Sequence, residues 1–540
     1  MRIGQYLSRC RPHAAAALLA LWFALEAAPH AGAQLLTPGE LEVLQSEALL
    51  QYHSQKYDEG QATIRKIYSN TEPGSDQQVA ALELLALIHR QKKEDPQAAG
   101  VYRKLLATAP LSKRPAYHFE LGMIRLQQKN RGEARQNFSA AVDGNFNPGT
   151  SRFFLGLLDF EDANPRRALH DFSTASAWPD AEAIMTAVRY YLANSYLQLG
   201  RTEAAVRNYK EALRSAGAGA DAGAPDPIAE SATKGAAKAL GDLDKSQPFS
   251  SVSLLAQWDS NVQSYPIDVT NSLGVSNQRS LKAVLSGSVA YSTSPTRDWQ
   301  FTPLYSFYGN YNFNSATRDF DFLSHTLGAY VFRKPYLRFA KGFKAQSTFS
   351  MKNTPDADRP GGTRYTKYSL THDIGPVVKY ELTPRSFLTG ELYWRPKKYY
   401  ADTDTGTSQR SGQGLLAKAT VDFISAYALW NPTGYFSFEW DATNGQDYDM
   451  TAFGMGLSNT MQLTKKVALR EYLDTTFTGY NNTAPTRNDR YYSARVALTN
   501  TVNASWSWLV DASYTLNDSS VPTSFEYKRV TGSLGATYGF

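Results

Sequence analysis

The stretch WQFTPLYSFYGNY, Trp299–Tyr311, places aromatic side chains at Trp299, Phe301, Tyr305, Phe307 and Tyr311 and polar ones at Gln300, Thr302, Ser306 and Asn310. A period of two over this length reads as a β-strand with one apolar and one polar face. The same alternation runs through LKAVLSGSVAY (Leu281–Tyr291), YFSFEWDA (Tyr435–Ala442) and WSWLVDASYTL (Trp506–Leu516). Counted to the end of the chain, such segments number about fourteen, within the range of single-chain membrane barrels. They start near Phe249, Arg279, Trp299, Phe320, Leu337, Thr366, Ser386, Leu416, Tyr435, Met450, Val467, Tyr491, Trp506 and Glu526.

The connections test that count independently. After odd-numbered segments they are long, as in NFNSATRD and YNNTAPTRND; after even-numbered ones they are short, as in RKPY, LTPR and NPTG. Outer-membrane barrels combine an even strand number with short periplasmic turns and longer external loops. A soluble propeller or sandwich has no reason to keep that phase, and no blade-like repeat is visible. The expectation for residues 248–540 is an antiparallel transmembrane β-barrel, its N-terminus on the periplasmic side.

Ahead of the barrel the period changes. Units of about 34 residues repeat, a spacing known from helical-hairpin solenoids. One carries Leu85-Ala86, Ala98, Tyr102, Leu105 and Pro110, and the next Leu121-Gly122, Ala134, Phe138 and Ala141. Then follow Leu155-Gly156, Ala168, Phe172 and Ala175, and Leu192-Ala193, Tyr196, Ala205, Tyr209 and Ala212; a weaker first unit has Gly60, Ile64 and Ile67. Small residues where two helices approach, with an aromatic plug one helix later, match the tetratricopeptide repeat. The solenoid is expected over 34–214. SAGAGADAGAPDP, Ser215–Pro227, opens a linker and capping helix over 215–247. The fold class is therefore multi-domain: an α-helical tetratricopeptide solenoid followed by a barrel of about fourteen strands.

Residues 1–33 have the layout of a secretory signal peptide: Arg2, Arg9 and Arg11, an apolar run from Ala14 to about Leu25, and the triplet Ala31-Gly32-Ala33 with cleavage after Ala33. The run is shorter than the roughly 20 residues that span a bilayer. The single cysteine, Cys10, lies inside this segment, so the mature chain is expected to carry no disulfide or thiolate chemistry.

The chain closes with SLGATYGF, Ser533–Phe540. Leu534, Ala536, Tyr538 and Phe540 share one strand face, while Ser533, Gly535, Tyr538 and Phe540 fit the order polar, Gly, aromatic, terminal aromatic. This resembles the C-terminal signal of outer-membrane proteins read by the barrel assembly machinery. The order of domains resembles the surface lipoprotein assembly modulators (Slam), in which tetratricopeptide repeats precede a fourteen-stranded barrel. FSSVSLLAQWDSNVQ, Phe249–Gln263, looks like the first barrel strand of that family, with a turn at Asp259, Ser260, Asn261 and Val262. The resemblance implies an outer-membrane export factor: the repeats capture a periplasmic client protein, or one held by a chaperone, and the barrel delivers it to the surface. Exopolysaccharide exporters also join repeats to a barrel, usually of sixteen strands, and a repeat-bearing scaffold without transport is a further alternative.

The expected partners are outer-membrane lipid, the barrel assembly machinery and a periplasmic client or chaperone. Client-binding residues are not singled out by the sequence. Lys282, Arg338, Lys344, Glu391, Glu439, Asp441, Arg470, Asp474, Arg495 and Asp511 fall on polar strand faces as a mixed-sign set. That reads as a bracing network of paired charges, since an ion-selective channel would favour one sign. Lys341 and Glu471 fall on the nominal lipid face, which implies a strand end, bulge or shifted register there. No enzyme is expected. His325 and His372 of the barrel lack a nucleophile motif, and His89, His118 and His170 lack metal-ligand spacing. No cofactor motif occurs, and the basic residues form no run that nucleic acid would require.

Overall fold

The computed structural model describes residues 36–219, 227–243, 247–262, 264, 279–296, 298–333, 335–355, 362–400, 406–427, 429–480, 482–483 and 485–540. The signal-peptide segment, with Ala31 and Ala33, lies outside the described residues, as do the middle of the linker and Gln263. The chain forms two compact units, one ending at Phe146 and the other running from Asn147 to Phe540.

The first unit is three helical hairpins: α1 (Pro38–His53) with α2 (Tyr57–Ser69), α3 (Asp76–Gln91) with α4 (Asp95–Thr108), and α5 (Arg114–Gln127) with α6 (Arg131–Asp143). Thr37 caps α1 through a reciprocal box with Glu40, satisfying two donors that a helix start leaves open. Between paired helices the chain turns through a left-handed residue at an equivalent place each time: Gln55, Lys93 and Lys129. The hairpins close on the small-residue positions. A Cβ on Gly122 would sit 2.9 Å from the Phe138 ring, so glycine lets that ring fill the gap between α5 and α6.

The second unit continues with α7 (Pro148–Glu161), α8 (Pro165–Ala175), α9 (Met185–Gln198), α10 (Thr202–Gly219) and α11 (Pro227–Leu243). Its hairpins repeat the device: Ala163 and Gly200 take the left-handed turn, and Gly156 faces Phe172 as Gly122 faces Phe138. Helix α10 runs to Gly219, into the stretch expected as linker. Its last turn alternates alanine, the best helix former, with glycines that each cost roughly 1 kcal/mol, and the helix continues through them.

The same unit holds a closed barrel of fourteen strands in which every strand pairs with its sequence neighbours and β1 pairs with β14. The strands are β1 (Gln247–Asp259), β2 (Ser280–Thr296), β3 (Trp299–Asn312), β4 (Phe322–Arg333), β5 (Phe339–Pro355), β6 (Thr363–Thr383) and β7 (Ser386–Tyr399). They continue as β8 (Gly412–Phe423), β9 (Pro432–Thr443), β10 (Met450–Gln462), β11 (Val467–Tyr480), β12 (Arg487–Thr501), β13 (Trp506–Ser519) and β14 (Tyr527–Gly539). Strands β6, β8 and β12 begin three or four residues earlier than their apolar faces suggest, because polar and glycine residues at the far ends still join the ladder. Both termini of the barrel and its even-numbered connections lie at one end, the near rim; the odd-numbered connections lie at the far rim.

The outer face is apolar and carries two aromatic bands. Tyr291, Trp299, Phe339, Tyr380, Trp506 and Tyr538 are exposed toward the near rim, and Trp258, Tyr311, Trp394, Trp440 and Tyr492 toward the far rim. Lys341, two residues from the start of β5, pairs in register with Arg333 at the end of β4, so it sits at a strand end. Glu471 lies in the near-rim part of β11, opposite Asn459 and Val496.

One connection departs from expectation. NPTG was expected as a tight turn, but Asn431 ends a longer connection, 424–431, and Pro432 already opens β9. The apolar residues Leu429 and Trp430 imitate strand alternation, yet they belong to a loop that reaches the helices.

Candidate functional site

Two places in the second unit gather side chains that are distant in sequence: the near rim, where the helices meet the barrel, and the seam where the barrel closes.

At the near rim, α10 presents Glu203, Arg207 and Lys210, spaced four and three residues apart and therefore on one helix face. Glu203 pairs with Lys379 of β6 at 2.8 Å, and Arg207 pairs with Glu381 of the same strand. Lys379 and Glu381 alternate with the outward Val378 and Tyr380, so they belong to the lumen face. Lys210 lies 3.5 Å above the Tyr336 ring in the β4–β5 connection. Arg201 stacks over Phe387 and lies 3.5 Å from Asp422. The Tyr196 hydroxyl of α9 donates to the Pro384 carbonyl, and burial pushes its pKa up to about 12, so it keeps the proton it donates. Burial acts to raise the Glu203 pKa, but the charge of Lys379 and its hydrogen bond outweigh that and hold the carboxyl below its usual range.

The long β8–β9 connection docks beside this contact. Asn431 is its hub: its side-chain oxygen accepts from Arg166 of α8, its amide N–H donates to Asn459 (2.8 Å), and its side-chain nitrogen donates to the Thr460 carbonyl (2.8 Å). Between this loop and helices α7 and α8 lies a cavity of about 460 Å³ lined by Arg167, His170, Arg385, Phe423, Tyr427 and Trp430, with Asp159 and Asp171 at its wall. Asp171 is held by Arg152 at 3.0 Å. Among the described residues Arg167 and Arg385 form no salt bridge; Arg385 rests 5.7 Å over the Phe423 ring. The buried Nδ1 of His170 has no hydrogen-bond partner. Burial, with the charges of Arg385 and Arg152, lowers the His170 pKa, so the imidazole is neutral at pH 7.

The seam brings together the two ends of the barrel sequence that the motifs singled out. β1 and β14 pair from Ser251↔Gly539 to Asp259↔Thr531. At the far end Asp259, fully buried, accepts from Lys282 at 2.9 Å and from Arg529 at 3.0 Å. The Asn261 N–H donates back to Asp259 Oδ1, the Asn261 side chain donates to the Lys528 carbonyl, and the Ser260 N–H donates to the Val530 carbonyl, while Val262 continues the turn. In mid-seam Gln257 donates to the Ser533 hydroxyl at 2.8 Å, and a Cβ on Gly535 would lie 2.3 Å from the Leu254 carbonyl oxygen, so the two backbones approach as glycine allows. At the near end the Phe540 N–H donates to the Ser250 carbonyl at 3.1 Å and the Ser250 hydroxyl donates to the Phe540 carbonyl. Tyr538 packs between Trp506 and Phe540, and the Phe540 ring is exposed on the outer face.

The polar-face residues expected in the lumen are partnered. Arg395 bridges Asp373 and Glu439, both at 2.7 Å, and Lys397 pairs with Asp441. Arg495 pairs with Asp511, Tyr435 donates to Asp474, Tyr393 donates to Glu391, and Lys344 lies over the Tyr393 ring. Arg470 donates to Thr460 and Tyr472. Arg338 is a correction: it lies outside β5, in the β4–β5 connection, and donates to the backbone carbonyls of Glu381 and Leu382. The rim contact escaped sequence reading, because a charged stripe on one helix face ordinarily reads as a solvated surface.

No family model and no curated protein matches the chain. Among solved structures it is similar to MamA, with 14% identity over 35% of this chain and 98% of that one and a TM-score of 0.30. It is also similar to YrrB, described as a TPR protein with an unusual peptide-binding site, with 17% identity, 35% and 90% coverage and a TM-score of 0.28. PilF of Pseudomonas aeruginosa gives 20% identity, 38% and 86% coverage and a TM-score of 0.29.

Proposed function

We propose that this chain is a Slam-like export factor of the Gram-negative outer membrane, not an enzyme, whose periplasmic repeats capture a client protein and pass it to the surface through or beside the barrel. The observation that carries the reading is the rim contact: Glu203 and Arg207 of the last repeat hold the lumen-facing Lys379 and Glu381, so a client on the adjacent helices waits at the mouth of the barrel.

The outer face supports the membrane assignment. Trp299 and Tyr311 bracket β3 twelve residues apart, about 40 Å along a strand. At a tilt of about 45° this is about 28 Å along the barrel axis, close to the roughly 30 Å hydrocarbon core of a bilayer. The near rim would then face the periplasm, where a cleaved signal peptide directs the repeats. The paired lumen charges give a polysaccharide no continuous track of one chemistry, which favours the protein client over the sugar exporter.

Deleting the gene and comparing surface-exposed proteins by protease shaving and mass spectrometry, with surface polysaccharide assayed on the same cells, tests the reading. Loss of one or a few surface proteins with polysaccharide unchanged is expected. Lost polysaccharide with an unchanged protein surface would overturn it in favour of sugar export, and no change in either would leave the scaffold role.

A further inference from the structure

We propose that the near-rim cavity is a recognition pocket for a peptide carboxylate: an acidic residue that enters beside an aromatic or apolar neighbour. The inference deepens the export reading by giving the client segment a chemistry, although the binding itself does not depend on export.

Three features of the cavity converge on this ligand. Arg167 and Arg385 line one space and, among the described residues, neither is matched by a carboxylate within salt-bridge distance, in contrast to the neighbouring Arg152, Arg201 and Arg207. A guanidinium presents two parallel N–H groups that fit a carboxylate's two oxygens. His170 adds an imidazole ring to the same lining. The remaining wall is aromatic: Tyr427 and Trp430 are more than half exposed on the loop that breaks the short-turn rule. A volume of about 460 Å³ lies within the range of ligand pockets.

The same wall argues against a small inorganic anion. Asp159 and Asp171 also border the cavity, so a doubly charged phosphate would be repelled where a singly charged carboxylate is tolerated. Phosphate also has no apolar part to set against Phe423, Tyr427 and Trp430.

The test is isothermal titration of the full chain in detergent micelles with three probes: acetyl-Gly-Asp-Phe-Gly-amide, the same peptide with Asn for Asp, and inorganic phosphate. The acidic peptide is expected to bind about tenfold tighter than its Asn counterpart, the scale of a charge-assisted contact. The R167Q/R385Q variant should lose that discrimination while retaining a folded barrel, seen as heat-modifiable migration in a gel. Arg167 is exposed on α8, so R167Q alone leaves the core intact and should lose about threefold should the double variant fail to fold. Equal binding of the two peptides, or the full tenfold discrimination retained in R167Q, overturns the proposal. Phosphate competing at the peptide's own concentration would mark a free-anion site and overturn it too. None of these outcomes depends on surface display, so failure here leaves the export reading to its own test.

Discussion

The barrel interior and the near-rim cavity are both lined with charge, and they are finished differently. Inside the barrel cations are matched by acids: Arg395 lies between Asp373 and Glu439, Lys397 against Asp441, Lys282 and Arg529 on Asp259. At the rim, Arg167 and Arg385 share a cavity with their salt-bridge capacity unspent. Asp259 and Asp441 are buried and need their cations, since a buried charge left without a partner costs several kcal/mol, whereas Arg167 is exposed and Arg385 half-buried, so water can solvate them until a ligand arrives. The contrast separates side chains that hold the molecule together from side chains offered to something else.

The rim ion pair is where that contrast breaks hardest. Arg207→Glu would set two carboxylates against each other at Glu381, both partners being largely buried. It should cost the helix–barrel contact at least the 3–5 kcal/mol typical of breaking a buried pair. Limited proteolysis near residues 244–248 should accelerate, and the swap R207E/E381R should restore resistance. Next comes the seam. Asp259→Ala leaves Lys282 and Arg529 facing each other, and about 3 kcal/mol of barrel stability should be lost. Loss of heat-modifiable migration at a lower temperature reads this directly.

Much of the fold was legible because both halves obey strict periods. Trp299–Tyr311 gives the strand and its outward face, and the loop phase gives the pairing order. Gly122 and Gly156 announce the rings of Phe138 and Phe172 by spacing alone. The motif residues were legible as local patterns, but nothing in Asp259 or Ser533 alone says that they close one seam, since their partners lie some 270 residues away. The rim was not legible. Glu203 and Lys379 are 176 residues apart and each sits in an ordinary polar pattern. Leu429 and Trp430 kept the strand rhythm although the helices, not the sheet, decide the conformation of that connection.

Smaller effects sharpen the comparison. Gly156→Leu, which forces a side chain into the Phe172 ring 2.8 Å away, should destabilise the hairpin by about 1–3 kcal/mol without altering barrel migration. Acid should loosen the rim late. The Glu203 carboxyl is held below the usual value of about 4.3, so its contribution is complete above that value and is lost as pH falls through the depressed one. Proteolytic resistance should therefore be flat from pH 8 to 5 and fall only below about pH 4; loosening near pH 6 would implicate another group. Lys129→Gly, at a left-handed turn where a side chain costs about 1 kcal/mol, should raise the melting free energy of the first unit by about that amount.

The most direct test of the central claim joins the rim to export. Cells lacking the gene are complemented with the wild-type chain, R207E, E381R or the R207E/E381R swap, and surface proteins are quantified by protease shaving and mass spectrometry. The account predicts that each single reversal loses the same surface proteins as the deletion while the barrel stays assembled, and that the swap restores them. Full surface display in R207E, with the rim contact shown to be open by proteolysis, would contradict it.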